Sequence, residues 1–440
     1  MLNPIWLESE IRDQFLEDDN NRPWVIGFSG GKDSTLLLQL TWNAIKSLPR
    51  EIRHTRDVWV VCNDTLVENP RIVDFIDRTL HKIQRSVVEQ DMPIRVAQTT
   101  PSLEDTFWVN LIGKGYPAPG SVFRWCTERL KINPTSKFIL EKINKHGEAI
   151  LLLGTRSDES AKRAASISSY ERKGKRLRKH VLPNAWVFAA IKDVKTNELW
   201  QYLMQAKAAW GGTHKELVSL YKNANSGDCP LVIDKTTPSC GNSRFGCWVC
   251  TVVKKDKSME GLIENGEDWM LPLVEFRDWL AYTKDHPEIY RQKERRDGTI
   301  KENAHGPYYA QYRAEMLERV LKAQKEIQET QGDITLINPQ ELVAIQITWY
   351  RDGIFSHRVS DIYNNVYNNG LKMSKQDEKN QQEDELLKKT CKNEAEYNLL
   401  QDLLKLHKTK TLMLKKRGLQ NDIEQRITNF VKAKSTPATK

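Results

Sequence analysis

The chain has 440 residues, long enough for two or three domains around a large buried core, with 28% charged and 39% hydrophobic residues. That balance describes a soluble protein, and no apolar run approaches the roughly 20 residues a bilayer crossing needs, so a membrane-spanning role is excluded. A net charge of +9 suits a polyanionic partner such as nucleic acid without establishing one.

The first eight residues turn acidic at once and lack the apolar core of a signal peptide, so the chain is expected in the cytoplasm, where disulfides are rare. The first motif follows. An apolar run, Trp24-Val25-Ile26-Gly27-Phe28, ends in Ser29-Gly30-Gly31-Lys32-Asp33-Ser34, and a helix-like Thr35-Leu36-Leu37-Leu38 continues from it. Two glycines permit a tight turn. The amides of the new helix's first turn then face an anion, with the helix dipole in support. Ser29, Ser34 and Thr35 add hydroxyls and Lys32 a full positive charge, which makes a phosphate cradle. The spacing is not that of a Walker A loop. The hexapeptide resembles the PP-loop of ATP pyrophosphatases, which adenylate a substrate and release pyrophosphate.

Further strand-like runs at 58–62, 94–97 and 149–153 alternate with amphipathic stretches at 72–87 and 135–145. The rhythm predicts an α/β fold, a parallel sheet with helices on both faces. Ligands of such sheets lie at the carboxyl ends of strands, where the glycine turn falls. The second run ends at Asp64, which reads either as an ordinary turn aspartate or as a group that binds a ribose hydroxyl or holds Mg²⁺ through water.

Arg124-Trp125-Cys126-Thr127-Glu128-Arg129-Leu130-Lys131 places a thiol among cations and polar groups, which favours the thiolate. Cys126 then carries a sulfane sulfur, ligates a cluster, or is simply a buried cysteine. Leu152-Leu153-Gly154-Thr155-Arg156-Ser157-Asp158-Glu159-Ser160 is another strand-to-loop transition, in which Arg156 is expected to meet phosphate oxygens. Both elements resemble the phosphoadenylyl-sulfate reductase branch of PP-loop proteins. That branch often has two adjacent cysteines at the first element, and Trp125 stands in place of one of them. Residues 163–179, rich in Lys, Arg and Ser, read as a mobile basic loop: a surface excursion, a lid or a nucleic-acid contact.

Glycine, proline and cysteine rise from 223 to about 267. Cys229, Cys240, Cys247 and Cys250 follow the spacing C-x10-C-x6-C-x2-C, and four thiolates close a site for Zn²⁺ or an iron–sulfur cluster. The irregular spacing favours [4Fe–4S]. A helix is expected at 309–328 and an exposed helix or linker at 376–389, with aliphatic stripes at Leu399, Leu403 and Leu406, then Ile423, Ile427, Phe430 and Val431. The expected division is a PP-loop domain at 1–222, a Cys-rich module at 223–305 and a helical region at 306–440.

From the glycine turn through Trp210-Gly211-Gly212 and the cysteines to Gly306-Pro307-Tyr308, residues 20 to 330 resemble the DndC and SspD type of DNA phosphorothioation sulfurtransferase. The resemblance implies a HUP-like (adenine nucleotide α-hydrolase) fold with an iron–sulfur module, and a bacterial defence role in restriction–modification. It implies ATP and Mg²⁺ at Ser29, Gly30, Gly31, Lys32, Asp33, Ser34, Asp64, Gly154 and Arg156, with Lys32, Asp33, Arg156 and Cys126 catalytic. Its partners would be DNA, a cysteine desulfurase as sulfur donor, and an ATPase or nickase subunit. A sulfonucleotide reductase or tRNA thiolase is the alternative among enzymes. A nucleotide-sensing DNA-binding subunit with a structural metal site is the alternative outside them.

Overall fold

In a computed structural model, six short strands form one sheet: β1 (Trp24–Gly27), β2 (Val58–Asn63), β3 (Ile94–Thr99), β4 (Ala149–Leu152), β5 (Leu177–Lys179) and β6 (Ala185–Phe188). The structure describes residues 2–17, 21–170, 175–224, 246–296, 298–302, 304–369, 375–412, 423–428 and 430–431. The spatial order is β3-β2-β1-β4-β6-β5, and every pairing is parallel except β5 against β6.

The central strands are apolar throughout because both faces are covered. Successive side chains alternate between faces. Trp24, Ile26, Val60 and Leu152 enter one core with the helices Pro4–Leu16, Lys32–Lys46 and Pro70–Glu89. Val25, Val61 and Leu151 enter the other, with Ile139 and Ile143 of the helix Asn133–His146. The parallel sheet with helices on both faces is therefore present, with an antiparallel strand at one edge.

That edge lies in the segment expected to be a loop. Of residues 163–179, the first part continues the helix Ala161–Tyr170 and the last three residues are β5. Arg176 is held by Glu10 at 2.9 Å and Glu17 at 2.6 Å, and Arg163 pairs with Glu159. Residues 171–174 lie outside the described residues, and Arg178 and Lys179 sit on the edge strand, where such side chains are the usual guards against sheet extension.

The chain folds into two compact units: residues 1–107 with 119–284, and residues 108–118 with 285–440. This division differs from the expected boundaries at 222 and 305. The described cysteines Cys247 and Cys250 fall in the first unit. In the second unit, Arg313 and the Trp349 indole both donate to the Ile112 carbonyl, at 2.8 and 2.9 Å. Those bonds fix residues 108–118 among the helices Ala310–Gln331 and Pro339–Arg351. The helix expected at 309–328 is Ala310–Gln331, and the stretch expected as an exposed helix or linker at 376–389 is the helix Lys375–Thr390.

Candidate active site

The sheet order reverses direction between β1 and β4, and in an open α/β sheet a crevice opens at the carboxyl ends of such a pair. Two glycine-bearing loops meet there. After β1 the chain turns through Gly30, whose φ of +75° a residue with a Cβ rarely adopts. An added Cβ would also stand 2.6 Å from Ile76 Cγ1. Gly31 caps the helix Lys32–Lys46 in extended conformation. The turn braces itself: Ser34 Oγ receives the Ser29 amide at 3.2 Å and donates to the Gly31 carbonyl at 3.1 Å.

After β4, Gly154 passes directly over that helix start. A Cβ there would lie 3.0 Å from the Asp33 carbonyl carbon and 3.1 Å from the Ser34 amide nitrogen. The close approach places Arg156, 1% exposed, against Asp33, 3% exposed. Arg156 Nε donates to Asp33 Oδ1, while Nη1 donates to the Val194 carbonyl at 2.9 Å and Thr196 Oγ1 at 3.2 Å. Lys32 Nζ stands 3.0 Å from Asp33 Oδ2. Burial opposes charge on Asp33, but Lys32 and Arg156 outweigh it and hold the carboxyl below its usual range. Arg156, expected to meet phosphate oxygens, aligns Asp33 and joins the two loops.

Two features, Tyr221 and Thr155, were not visible in the sequence. Tyr221, from the helix Lys215–Ala224, accepts the Lys32 amide at 3.3 Å, and its ring lies 5.3 Å from Lys32 Nζ. A phenol oxygen thus occupies an acceptor position on the helix N-terminus. Thr155 Oγ1, between Gly154 and Arg156, is buried with no hydrogen-bond partner among the described residues. At the end of β2, Asp64 accepts the Leu66 amide at 2.8 Å. Burial raises its carboxyl, against that bond, with Glu68 and Asp77 adding to the rise.

The thiols form a second locus on the same edge. Cys126, Cys247 and Cys250 line one cavity with Arg124 and Lys131. Cys126 immediately precedes a π-helical turn, Thr127–Ile132, a distortion often found at functional sites. The Cys247–Cys250 turn closes on its own backbone at 3.0 Å and is tied to the loop after β2, with the Trp248 amide on Val67 O at 3.0 Å. Thr65 Oγ1 lies 3.4 Å from Cys247 Sγ, and Lys131 pairs with Glu68 at 3.4 Å. Arg277 secures the far side, donating to the Cys250 carbonyl at 3.0 Å. Cys229 and Cys240 lie outside the described residues. The structure thus brings Cys126 to two of the four expected ligands. Among the described residues no three His, Cys, Asp or Glu stand grouped closely enough to hold a metal ion. Trp125 is buried and stacked on Phe107, ring centroids 5.4 Å apart.

Residues 23–253 match the model of the phosphoadenosine phosphosulfate reductase domain. An uncharacterized protein of Methanocaldococcus jannaschii is 27% identical over 234 residues, 53% of this chain. The match spans 37% of the length of that curated relative. The crystal structure of a phosphoadenylyl-sulfate reductase from Candida auris, a phosphate complex, overlaps 48% of this chain and 84% of its own at 10% identity and a TM-score of 0.29. Among the described residues no helix is long and apolar enough to cross a membrane.

Proposed function

The chain belongs to the phosphoadenosine phosphosulfate reductase domain family, and from that premise we propose an ATP-dependent sulfurtransferase that replaces a non-bridging oxygen of a DNA phosphate with sulfur. One observation carries the reading. The glycine turn after β1 and the thiol cavity tied to the loop after β2 issue from the carboxyl ends of two adjacent, hydrogen-bonded strands. A nucleotide cradle beside a thiol cluster is what activation followed by sulfur transfer requires.

ATP would set its β- and γ-phosphates at the glycine turn and the start of the helix Lys32–Lys46, taking the place of the Tyr221 oxygen on the Lys32 amide. Mg²⁺ would enter with the nucleotide as part of the substrate, and Asp64 is the carboxylate proposed to orient a metal water. Lys32, steadied by Asp33 and Tyr221, meets charge that grows as pyrophosphate leaves. Thr155 Oγ1 offers a further donor. Attack of the DNA phosphate oxygen on the α-phosphorus forms a mixed anhydride and expels pyrophosphate. Hydrosulfide, released from the persulfide of a cysteine desulfurase by a thiol reductant that is oxidised to its disulfide, then attacks the DNA phosphorus, and AMP departs with the original oxygen.

Soft thiols lining one cavity fit a thiolate-bound [4Fe–4S] cluster, held by Cys247 and Cys250 with Cys126, Cys229 or Cys240 completing the set. Such a cluster would supply sulfur-binding and redox chemistry. The irregular spacing C-x10-C-x6-C-x2-C departs from the paired C-x2-C knuckles of zinc ribbons, which favours a cluster over Zn²⁺. Trp125 in place of the first of two adjacent cysteines argues against a simple copy of the reductases' cluster arrangement, and the length past residue 250 and the four-cysteine spacing disfavour a sulfonucleotide reductase. The test is mass spectrometry of DNA for phosphorothioate dinucleotides after incubation with the chain, a cysteine desulfurase, L-cysteine, a thiol reductant, ATP and Mg²⁺. Sulfur incorporation that disappears in Lys32→Ala supports the reading, and sulfur-free DNA with a fully active donor refutes it.

A further inference from the structure

A short loop of the first unit leads directly into Cys126 and presents its apolar side chains outward. Val122 is 99% exposed and Phe123 52% exposed, whereas Trp125, two residues on, is 5% exposed. The loop's base is firmly held. The Gly120 amide bonds the Phe123 carbonyl at 3.2 Å, Thr251 Oγ1 donates to Pro119 O at 2.7 Å, and Lys284 Nζ donates to Thr251 O at 2.8 Å. On the other side Trp125 is locked by its stack on Phe107. A fixed base under an outward Val–Phe tip is the shape of a wedge.

We propose that Val122 and Phe123 enter a base step of the acceptor DNA, prising it open beside the phosphate that receives sulfur. The proposal rests on the DNA-acceptor reading above and adds the element that engages the strand. Three observations favour nucleic acid over protein. Two side chains provide only a small part of the roughly 800 Å² per partner that a standard protein interface buries. Apolar wedges of this size are what DNA-bending proteins insert between bases. The residue that follows is Arg124, which lines the thiol cavity, and Lys284 lies beneath the loop, so cations flank the tip where phosphates would run. Opening one step alters the torsions of the adjoining backbone, and its phosphate can swing toward the cavity mouth.

The experiment uses the full chain and a short duplex carrying 2-aminopurine, whose fluorescence rises when it is unstacked. The wild type is expected to brighten the probe on binding. The double variant Val122→Ser/Phe123→Ser is expected to bind about tenfold more weakly and to leave the probe dark, because aromatic stacking on a base is worth about that factor or more. Its thermal midpoint and its affinity for ATP are expected to match the wild type. A duplex bound by the wild type without brightening overturns the wedge alone. A wild type that binds no DNA overturns the acceptor reading and the wedge with it. A double variant that binds and unstacks DNA normally but no longer accepts sulfur from the desulfurase assigns the tip to the donor protein and also overturns the proposal.

Discussion

Arg156 donates to Asp33 across 123 residues of sequence, joining the loop after β4 to the first helical turn after β1. Both groups are almost wholly buried, so neither charge is compensated by water. Removing one partner of such a pair costs about 3–5 kcal/mol. Asp33→Asn keeps the shape and strands the guanidinium, and urea unfolding is expected to show a loss of about 3 kcal/mol together with much weaker ATP binding. The pair's contribution is complete above the ordinary carboxylate value of 3.8 and drains away as acid protonates Asp33 below it. Unchanged stability of Asp33→Asn at neutral pH would show that the ion pair is not a structural fixture.

Gly30 meets two constraints at once, a left-handed φ and the Ile76 side chain. Gly30→Ala is expected to destabilise the fold by about 1–2 kcal/mol and to weaken nucleotide binding at least tenfold. Gly30→Ala/Ile76→Ala relieves the clash but leaves the backbone strain, so recovery should be partial. Full recovery in calorimetric titration with ATP would mean that crowding alone mattered.

The cavity shared by Cys126, Cys247 and Cys250 makes a prediction that the four-cysteine spacing alone does not. Cys126→Ser is expected to lower iron and acid-labile sulfide as severely as Cys247→Ser or Cys250→Ser. A Cys126→Ser protein that keeps its full iron but loses sulfur transfer would make Cys126 a sulfur carrier beside the cluster.

His214 is 5% exposed and packs against the Trp210 ring, with Nε2 unpartnered among the described residues. Burial pushes its pKa down to about 4, from 6.5. The folded state therefore prefers the neutral ring, and the unfolded chain binds the extra proton as pH falls. Stability from this group is complete above 6.5 and is lost progressively down to about 4, for a total of about 3 kcal/mol. His214→Phe is expected to flatten that part of the profile, measured as the difference in urea midpoint between variant and wild type at pH 7 and pH 5. Parallel profiles would contradict it.

The sheet's centre was legible because β1 and β4 are buried along their whole length and β2 along most of its own, which gives continuous apolar runs. β3 is an edge strand and showed only as the shorter run at 94–97. β5 was not legible, since Leu177-Arg178-Lys179 is an edge strand whose exposed side needs no apolar residue. β6, Ala185–Phe188, is as short as β1 but is followed by no glycine turn to mark its end. The glycine turn was readable because its geometry is encoded locally in Gly30 and Gly31. Tyr221 was not, because the chain carries it to the turn from 189 residues away. Cys126 shows the same limit: its own motif was visible, but its cavity is built by tertiary packing on the loop after β2. Residues 108–118 likewise carry no sign in sequence of their place in the helical unit, which depends on the buried Arg313 and Trp349.

The most direct measurement follows the two ends of ATP, with label at the α- and γ-phosphates, in the presence of acceptor DNA and sulfide. The account predicts AMP and pyrophosphate in equal amounts, matched by sulfur entering DNA, all abolished by Gly30→Val. Release of ADP and orthophosphate instead, or undiminished sulfur incorporation by Gly30→Val, would contradict it.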